Sequence, residues 1–519
     1  MTVKINVYDG AQGIGGNKIL FEADGTSLML DFGLNFKTNG IFFDDYLKPR
    51  SHQGIWDYVE FGIVPPLAGI YRDELIPDTA ESRHIKLGAL PNGKIDGVFI
   101  SHAHADHIGC LGFLREEIPI YTGLTTAIIM KTIQDMSKMS DPGQEICYTK
   151  SRELKNGALK AVSGQCRQQR PFRVLDRTDI PDEAKKYWQA HYAKTGSLNS
   201  EQLCPSAGHD MKIGALPVRY WPVDHSVPGA GALAIQTSSG WVVYSGDLRF
   251  HGKQGPLTER FFEEAAQLKP FAMITEGTHP TTDKTIRTEQ EVQESILRVA
   301  TGDKSKRRLI IADFGGRNIE RLEIVAAVAK VSGRKLVVTA KDAFLVKHLI
   351  GAGAYSSLKD SFLVYQPKKA KAESLWEAEA VCEFGAVHSE EIRKKPGDYI
   401  LCFSYYDFSN LPDIQPYGAI YIYSSSEPFN EEAQIDFERL KAWVQKYKME
   451  WAGGSDWGEE GEFHASGHID GTGLKKMIDT IRPQILLPIH TETPEFFEQF
   501  AGPDLQVIFP KNGQEIRLA

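Results

Sequence analysis

Cysteine is scarce in this chain: six residues in 519 (Cys110, Cys147, Cys166, Cys204, Cys382 and Cys402), with no Cys-x-x-Cys pair. That excludes a disulfide framework and a zinc ribbon. Long apolar runs are missing as well, so no membrane-spanning helix is expected. The opening residues Met1-Thr2-Val3-Lys4-Ile5-Asn6-Val7 read as a strand and not as a secretory signal, which makes a cytoplasmic protein the expectation. Excess positive charge is absent: the net charge is −9, which argues against bulk affinity for nucleic acid and leaves room for a local basic groove. There is no internal repeat of useful period and no low-complexity tract. The glycine-rich piece Asp9-Gly10-Ala11-Gln12-Gly13-Ile14-Gly15-Gly16-Asn17 lacks the Gly-Lys-Ser/Thr ending of a phosphate loop, so it reads as a hairpin connection.

What is present is an ordinary globular composition, 42% hydrophobic and 24% charged, over a length that calls for two or three domains. One stretch stands apart. A hydrophobic run, Ile95 to Ile100, leads into Ser101-His102-Ala103-His104-Ala105-Asp106-His107-Ile108-Gly109, four metal-capable side chains within six residues. In extended chain, residues two apart point the same way, so His102 and His104 can share one cation. Asp106 and His107 fall where a helix should begin and can turn toward a second cation. A zinc ion takes about four ligands, and a catalytic one keeps a position for water, so ligands this crowded imply two metals. A single histidine on an apolar face would be read as core; three with an aspartate in this order are read as ligands.

This His-x-His-x-Asp-His pattern resembles the signature of the metallo-β-lactamase fold. The wider chain resembles the β-CASP branch of that superfamily, and within it the RNase J-like ribonucleases. His225-Ser226-Val227-Pro228 and Tyr244-Ser245-Gly246-Asp247 match the next ligand motifs, each at the exit of an apolar strand. Glu276 fits motif A, His464-Ala465-Ser466-Gly467-His468 motif B, and Pro488-Ile489-His490 motif C. The resemblance implies an α/β metallo-β-lactamase αββα sandwich with an inserted α/β β-CASP cap. Residues 1–284 would form the first part of the sandwich, 285–425 the cap, and 426–519 the return segment. Departures are Cys110 in place of a second glycine, Ala105 in place of a larger residue, and the long interval between His107 and His225. Few residues follow His490, so the C-terminal domain through which many RNase J proteins associate is expected to be absent.

Several local expectations follow from the residues. Residues 36–92 read as a structured excursion over the surface, and Asp31, in Leu28-Met29-Leu30-Asp31-Phe32-Gly33, as a support for the metal loop and not a ligand. Gly109 to Arg115 reads as a continuing helix. The polar stretch 145–215 reads as partly inserted, helical near Asp182 to Tyr192 and loop-like through Pro205. Strand–helix alternation after about residue 288 predicts a separate parallel sheet. The basic clusters Lys304-Ser305-Lys306-Arg307-Arg308, Lys368-Lys369-Ala370-Lys371 and Arg393-Lys394-Lys395 are either solvated surface or the lining of a phosphate-tracking channel.

By residue type and resemblance, His102, His104 and His225 hold one Zn2+, and Asp106, His107 and His490 hold the other, with Asp247 bridging; Mn2+ is an alternative ion. Metals about 3.5–4 Å apart can lower the pKa of a bridging water to give a hydroxide nucleophile and can neutralise charge on a phosphodiester. Asp106, Asp247, Glu276 and His468 make the expected catalytic set, with Glu276 orienting His468 to serve the leaving oxygen. His464, Ser466 and His468 would hold a substrate phosphate, and Arg317 and Asn318, at a turn into a cap helix, would add another contact. The implied activity is hydrolysis of single-stranded RNA, 5′→3′ exonucleolytic first and endonucleolytic as an open alternative. RNA is favoured because motif C is a histidine, as in RNA-processing members. Competing readings are a hydrolase of a small ester, lactone or thioester, a DNA nuclease of the same branch, and a non-catalytic scaffold, which the intact ligand set disfavours.

Overall fold

The computed structural model describes residues 2–518 except 45, 79–81, 83, 91, 138–140, 163–166, 193–196, 209–210, 281–285, 370–371, 427–430 and 455–460, which leaves Cys166, Ala370 and Lys371 outside the described residues. Two sheets face each other across an apolar layer. The first has eight strands, in the order Leu203–Pro205, Phe172–Val174, Ile120–Thr122, Gly97–Phe99, Thr26–Phe32, Lys18–Ala23, Val3–Asp9 and Gln514–Leu518. The second has seven: Lys212–Ile213, Leu216–Pro222, Gly231–Thr237, Gly240–Tyr244, Ala272–Glu276, Ile485–Ile489 and Gln506–Val507. Period-two alternation explains the layering. Ile19, Phe21, Leu28 and Leu30 point inward to meet Leu233, Ile235, Val242 and Ile274, while Leu20 and Met29 point to the outer face. The outer face of the second sheet, with Ala232, Ala234, Val243 and Met273, is covered by helices Gly255–Gln267 and Gly471–Ile481 through Phe261, Phe262, Leu474 and Met477. The result is the expected αββα sandwich.

The outer face of the first sheet corrects one expectation. Within 36–92 the helix Phe36–Phe42 does lie on the surface, with no buried residue, but the following part is not an excursion: Ile55, Tyr58, Ile63, Val64, Ile70, Tyr71 and Leu75 are buried in the cluster that contains Leu20, Met29 and Phe32. A sheet buried on both faces needs that second apolar layer. The helix expected from Gly109 to Arg115 is likewise absent. The helix Ala105–Ile108 stops after one turn, and a 3-10 turn, Leu111–Phe113, follows. A Cβ on Gly112 would lie 2.1 Å from the Pro142 carbonyl, so the close approach of another chain segment replaces helix there. The stretch 145–215 is not loop-like through Pro205 either, since Phe172–Val174 and Leu203–Pro205 extend the first sheet in parallel register. The helix expected near Asp182 to Tyr192 runs Asp182–Gln189.

The third sheet is all parallel: Ala386–Val387, Phe362–Tyr365, Lys335–Val338, Tyr399–Cys402, Ile310–Asp313, Ile420–Tyr423 and Glu450–Ala452. It does not end at 425, because Glu450–Ala452 pairs with Ile420–Ile422. Its helices are well capped: Thr288 and Thr339 form capping boxes, and Asn318 accepts from the Arg321 amide. The helix Ala340–Gly351 packs on the sandwich, where Tyr187 stacks on His348 with ring centroids 3.5 Å apart. The described basic residues of the three clusters are largely engaged nearby: Lys306 with Asp303, Arg308 with Glu450, Lys368 with Glu390, Lys369 with Glu377, and Arg393 with the Asp413 carbonyl. No helix among the described residues is long and apolar enough to cross a membrane.

Candidate metal centre

Within each sheet the strands that lead to the site run parallel to one another, and their exits carry the polar residues. Asp31 ends one strand, Ser101 follows another, and His225, Asp247, Glu276 and His490 follow or end four more. Asp31 and His490 take left-handed backbone, at φ 55° and 50°. Such conformations cost about 1–3 kcal/mol and persist only where the surroundings impose them.

Three imidazole nitrogens converge. His104 Nδ1 lies 3.1 Å from His102 Nε2 and 3.2 Å from His225 Nε2. Ligand atoms on a tetrahedral zinc are about 3.3 Å apart, from bonds of about 2.0–2.1 Å. The outward nitrogens of His102 and His225 are engaged, which leaves their inward ones as lone pairs. His102 Nδ1 is 3.0 Å from the Ser101 hydroxyl, and His225 Nδ1 donates to the Gly467 carbonyl at 2.5 Å. Burial, reinforced by the neighbouring imidazoles, holds His102 and His225 well below the usual histidine pKa, and burial brings His104 to about 4. These three rings form a group that could hold a metal ion.

A second group adjoins it. Asp247 Oδ2 is 3.2 Å from His107 Nε2, 3.7 Å from His490 Nε2 and 3.8 Å from His102 Nε2, and so reaches both groups. Asp106 Oδ2 is 3.3 Å from His490 Nε2 and 3.6 Å from His107 Nε2. His107 Nδ1 donates to Asp31 at 2.8 Å, and His490 Nδ1 to the Thr278 hydroxyl at 2.9 Å. Asp31 also accepts from the Ser101 amide, the Ser101 hydroxyl and Tyr244, so it orients the loop without ligating, as expected. The inward atoms His107 Nε2 and Asp247 Oδ1 are buried with no hydrogen-bond partner among the described residues. Burial disfavours a charged His107, yet Asp247, Asp106 and Asp31 outweigh it and raise its pKa, so this spot calls for positive charge. The donor set fits two divalent cations: His102, His104 and His225 for one, Asp106, His107 and His490 for the other, and Asp247 within reach of both.

Beside this cluster stands His468, its Nδ1 2.9 Å from Glu276 Oε2 and 3.8 Å from Asp247 Oδ2. Burial lowers its pKa, but Glu276 and Asp247 override this and carry it to about 9. The remaining expected residues have hydrogen-bond partners of their own. The Ser466 hydroxyl accepts from the His468 amide at 3.1 Å, and His464 Nδ1 is 3.3 Å from the Ser424 carbonyl. Arg317 reaches across from the third sheet's layer and donates to the Ala103 carbonyl at 2.9 Å. Asn318 commits its side-chain oxygen to capping the helix Ile319–Val331. Sequence reasoning passed over Thr278, which ties Glu276 to His490, and His279, whose ring is 5.8 Å from that of His468. Their position just after the motif A carboxylate was the available signal.

Comparisons with known proteins agree with this geometry. Residues 65–143 match the model of the metallo-beta-lactamase superfamily. A ribonuclease J of Sinorhizobium meliloti is 24% identical, over 94% of this chain and 72% of its own length. A ribonuclease J of Corynebacterium glutamicum is 21% identical, over 94% of this chain and 54% of its own, and ribonuclease J 2 of Streptococcus pyogenes is 23% identical, over 98% and 73%. A crystal structure of a protein of unknown function from Enterococcus faecalis shares the fold, with TM-score 0.67 at 21% identity and full coverage of both chains. The sandwich, the His/Asp cluster and these matches together show a metallo-beta-lactamase-like fold, with a similarity to ribonucleases J that is broad in coverage and low in identity.

Proposed function

We propose that this protein is a metal-dependent ribonuclease of the β-CASP type, hydrolysing single-stranded RNA from its 5′ end, with internal cleavage as its secondary mode. The observation that carries the reading is the seven-ligand cluster abutting a His468–Glu276 pair, a hydrolytic centre paired with a proton donor. A small ester or lactone hydrolase has no need of that donor or of a separate parallel sheet leaning over the site through Arg317. We draw the domains as 1–284 for the first part of the sandwich, 285–425 for the cap and 426–519 for the return segment, amended in that Glu450–Ala452 belongs to the cap sheet and the return to the sandwich begins after it.

Two bound divalent cations, zinc or manganese, would supply an activated water and neutralise charge on the phosphate oxygens. The chain's own residues do the rest. Water forms the new bond to phosphorus and releases one proton to solvent, the bond to the leaving oxygen breaks, and His468 Nε2 gives that oxygen a proton and recovers one from solvent. Glu276 keeps the imidazole charged and aimed. His464, Ser466 and Arg317 hold the neighbouring phosphate, and with no base-reading module in view, selection rests on strand geometry and end chemistry.

The test uses metal-replete protein and an RNA with a 5′ monophosphate and a label at each end, with the DNA equivalent and His468→Ala alongside. Mononucleotides from the 5′ label on RNA, lost in the variant, are the expected result. Internal fragments alone would shift the reading to an endonuclease. No cleavage of either polymer by protein with two metals bound would sink the nuclease and favour the small-substrate hydrolase.

A further inference from the structure

Beneath the loop that carries Ser466 and His468 lies a buried charge network that no step above uses. Arg249 and Arg321 are fully buried, and Glu289 nearly so. Glu289 opens the helix Glu289–Thr301 and divides its carboxylate between them: Oε1 accepts from Arg249 Nη1 at 3.0 Å, and Oε2 from Arg321 Nε at 2.8 Å. Each guanidinium then holds one end of the loop by its backbone. Arg321 Nη1 donates to the Phe463 carbonyl at 2.9 Å and to the Ser424 hydroxyl, and Arg249 Nη1 donates to the Ser466 carbonyl at 2.9 Å. Arg249 also pairs with Glu320 at 2.9 Å on the cap and lies 3.4 Å from Asp224, the residue before His225.

We propose that Glu289, Arg249 and Arg321 are positioning residues through which the cap sets the loop Phe463–His468, and hence the placement of His468 over the metal centre. The inference rests on the proposed function for its catalytic meaning, and on hydrogen-bond geometry alone for its structural one. The route is continuous: cap helix, Glu289, two guanidiniums, the Phe463 and Ser466 carbonyls, then the Ser466 hydroxyl that accepts from the His468 amide. A buried ion network is weak evidence of stabilisation, because desolvating its charges offsets their attraction; what it does confer in some systems is a unique geometry. Here the geometry conferred is that of a loop with little regular structure of its own.

Full-length protein, wild type and Glu289→Gln, is compared by hydrogen exchange without metal and by kinetics with metal on the 5′-phosphorylated RNA. Gln keeps the shape and removes the charge that holds both arginines. Exchange should speed at amides 463–468 while those of 101–109 keep their protection. With metal content unchanged, kcat should fall about a hundredfold, the scale of a small misplacement of a reacting group, and KM should rise because His464 and Ser466 ride on the same loop. The variant combined with His468→Ala should lose no more than His468→Ala alone, because both act through one group. Unchanged loop protection, or losses that multiply in the double variant, would overturn the proposal. If Glu289→Gln does not fold, Arg321→Lys is read in the same two assays. If the wild type cleaves no RNA, the nuclease reading fails, and the exchange experiment alone decides whether the network positions the loop.

Discussion

The Nδ1 of His468 stands 2.9 Å from Oε2 of Glu276, and the rest of that carboxylate is already spoken for. Its Oε1 accepts from the Leu248 amide at 2.6 Å, and its Oε2 from the Thr278 hydroxyl at 2.6 Å. A carboxylate fixed on both oxygens is a rigid reference for the imidazole. Replacing Glu276 by Gln removes the charge that sustains the imidazolium, so kcat on RNA should drop about 10²–10⁴-fold, the range of a general acid, with metal content intact. Loss of metal along with activity would instead make Glu276 part of the ligand scaffold.

Metal removal has its own signature. Three inward lone pairs and two inward carboxylates repel one another, so cations bound there act as ligands of the folded state alone. At a thousandfold excess over Kd, one such site adds about 4 kcal/mol. Chelation should lower Tm, and zinc or manganese should restore it. His104→Ala should forfeit one metal equivalent while Asp106, His107 and His490 keep the other. Atomic spectroscopy of the purified protein checks the count; an unchanged Tm with no metal bound by the wild type would refute the site.

Much of this centre was legible because its chemistry is local. His102 to His107 lie on one loop, and each later ligand announces itself as a polar residue at the exit of an apolar strand. What failed to show was what depends on distant partners. The buried layer within 55–75 has no clear period, since its apolar side chains are placed by Leu20, Met29 and Phe32 across the interface and only the short helix Trp56–Glu60 is regular. The stop after Ile108 is set by Gly112 meeting Pro142, thirty residues on. Arg249, Glu289 and Arg321 lie far apart in the sequence, and only folding buries them together.

Gly33 shows how narrowly the metal loop is built. A Cβ there would fall 1.6 Å from the Asp106 carbonyl oxygen, while the next residue, Leu34, donates its amide to the Ala105 carbonyl at 3.0 Å. Gly33→Ala must therefore push the loop away, at about 1–3 kcal/mol for the overpacking. Metal content should fall first at the Asp106, His107 and His490 group. Full occupancy of both groups in a stable variant would contradict this account.

A pH effect is expected in the third sheet. Asp313 is buried, and burial carries its pKa to about 7, with Asp407 adding to the rise and the Tyr421 hydroxyl opposing it. Unfolded, the same carboxyl titrates near 4. Between about pH 4 and 7 the folded state holds a proton that the unfolded state releases. The stability tied to that proton is complete below the lower value and lost as pH rises through the upper one. Asp313→Asn stays neutral throughout and keeps an acceptor for Tyr421. It should be about 1–3 kcal/mol more stable than wild type at pH 8, with the gap closing toward pH 4. Urea midpoints at the two pH values test this; a variant weaker at both would refute it.

Arg317 and Asn318 were paired as phosphate contacts, and the structure separates them. Asn318 spends its side-chain oxygen on the Arg321 amide at 3.0 Å, an N-cap role that Asp fills equally well. Arg317 donates from Nη1 to the Ala103 carbonyl, inside the His102–His104 loop, which brings its guanidinium to the rim of the cluster. Asn318→Asp should thus leave both Tm and KM unchanged, since a new negative charge matters only if a phosphate sits against it. Asn318→Ala should cost about 1 kcal/mol of stability with no effect on KM. Arg317→Ala should raise KM for 5′-phosphorylated RNA about tenfold, the scale of one charge-assisted hydrogen bond, and should have less effect on RNA with a 5′ hydroxyl. A rise in KM with Asn318→Asp would return Asn318 to the phosphate; equal effects of Arg317→Ala on both RNAs would reassign Arg317 to holding the loop at Ala103, because only a contact with the terminal phosphate can tell the two substrates apart.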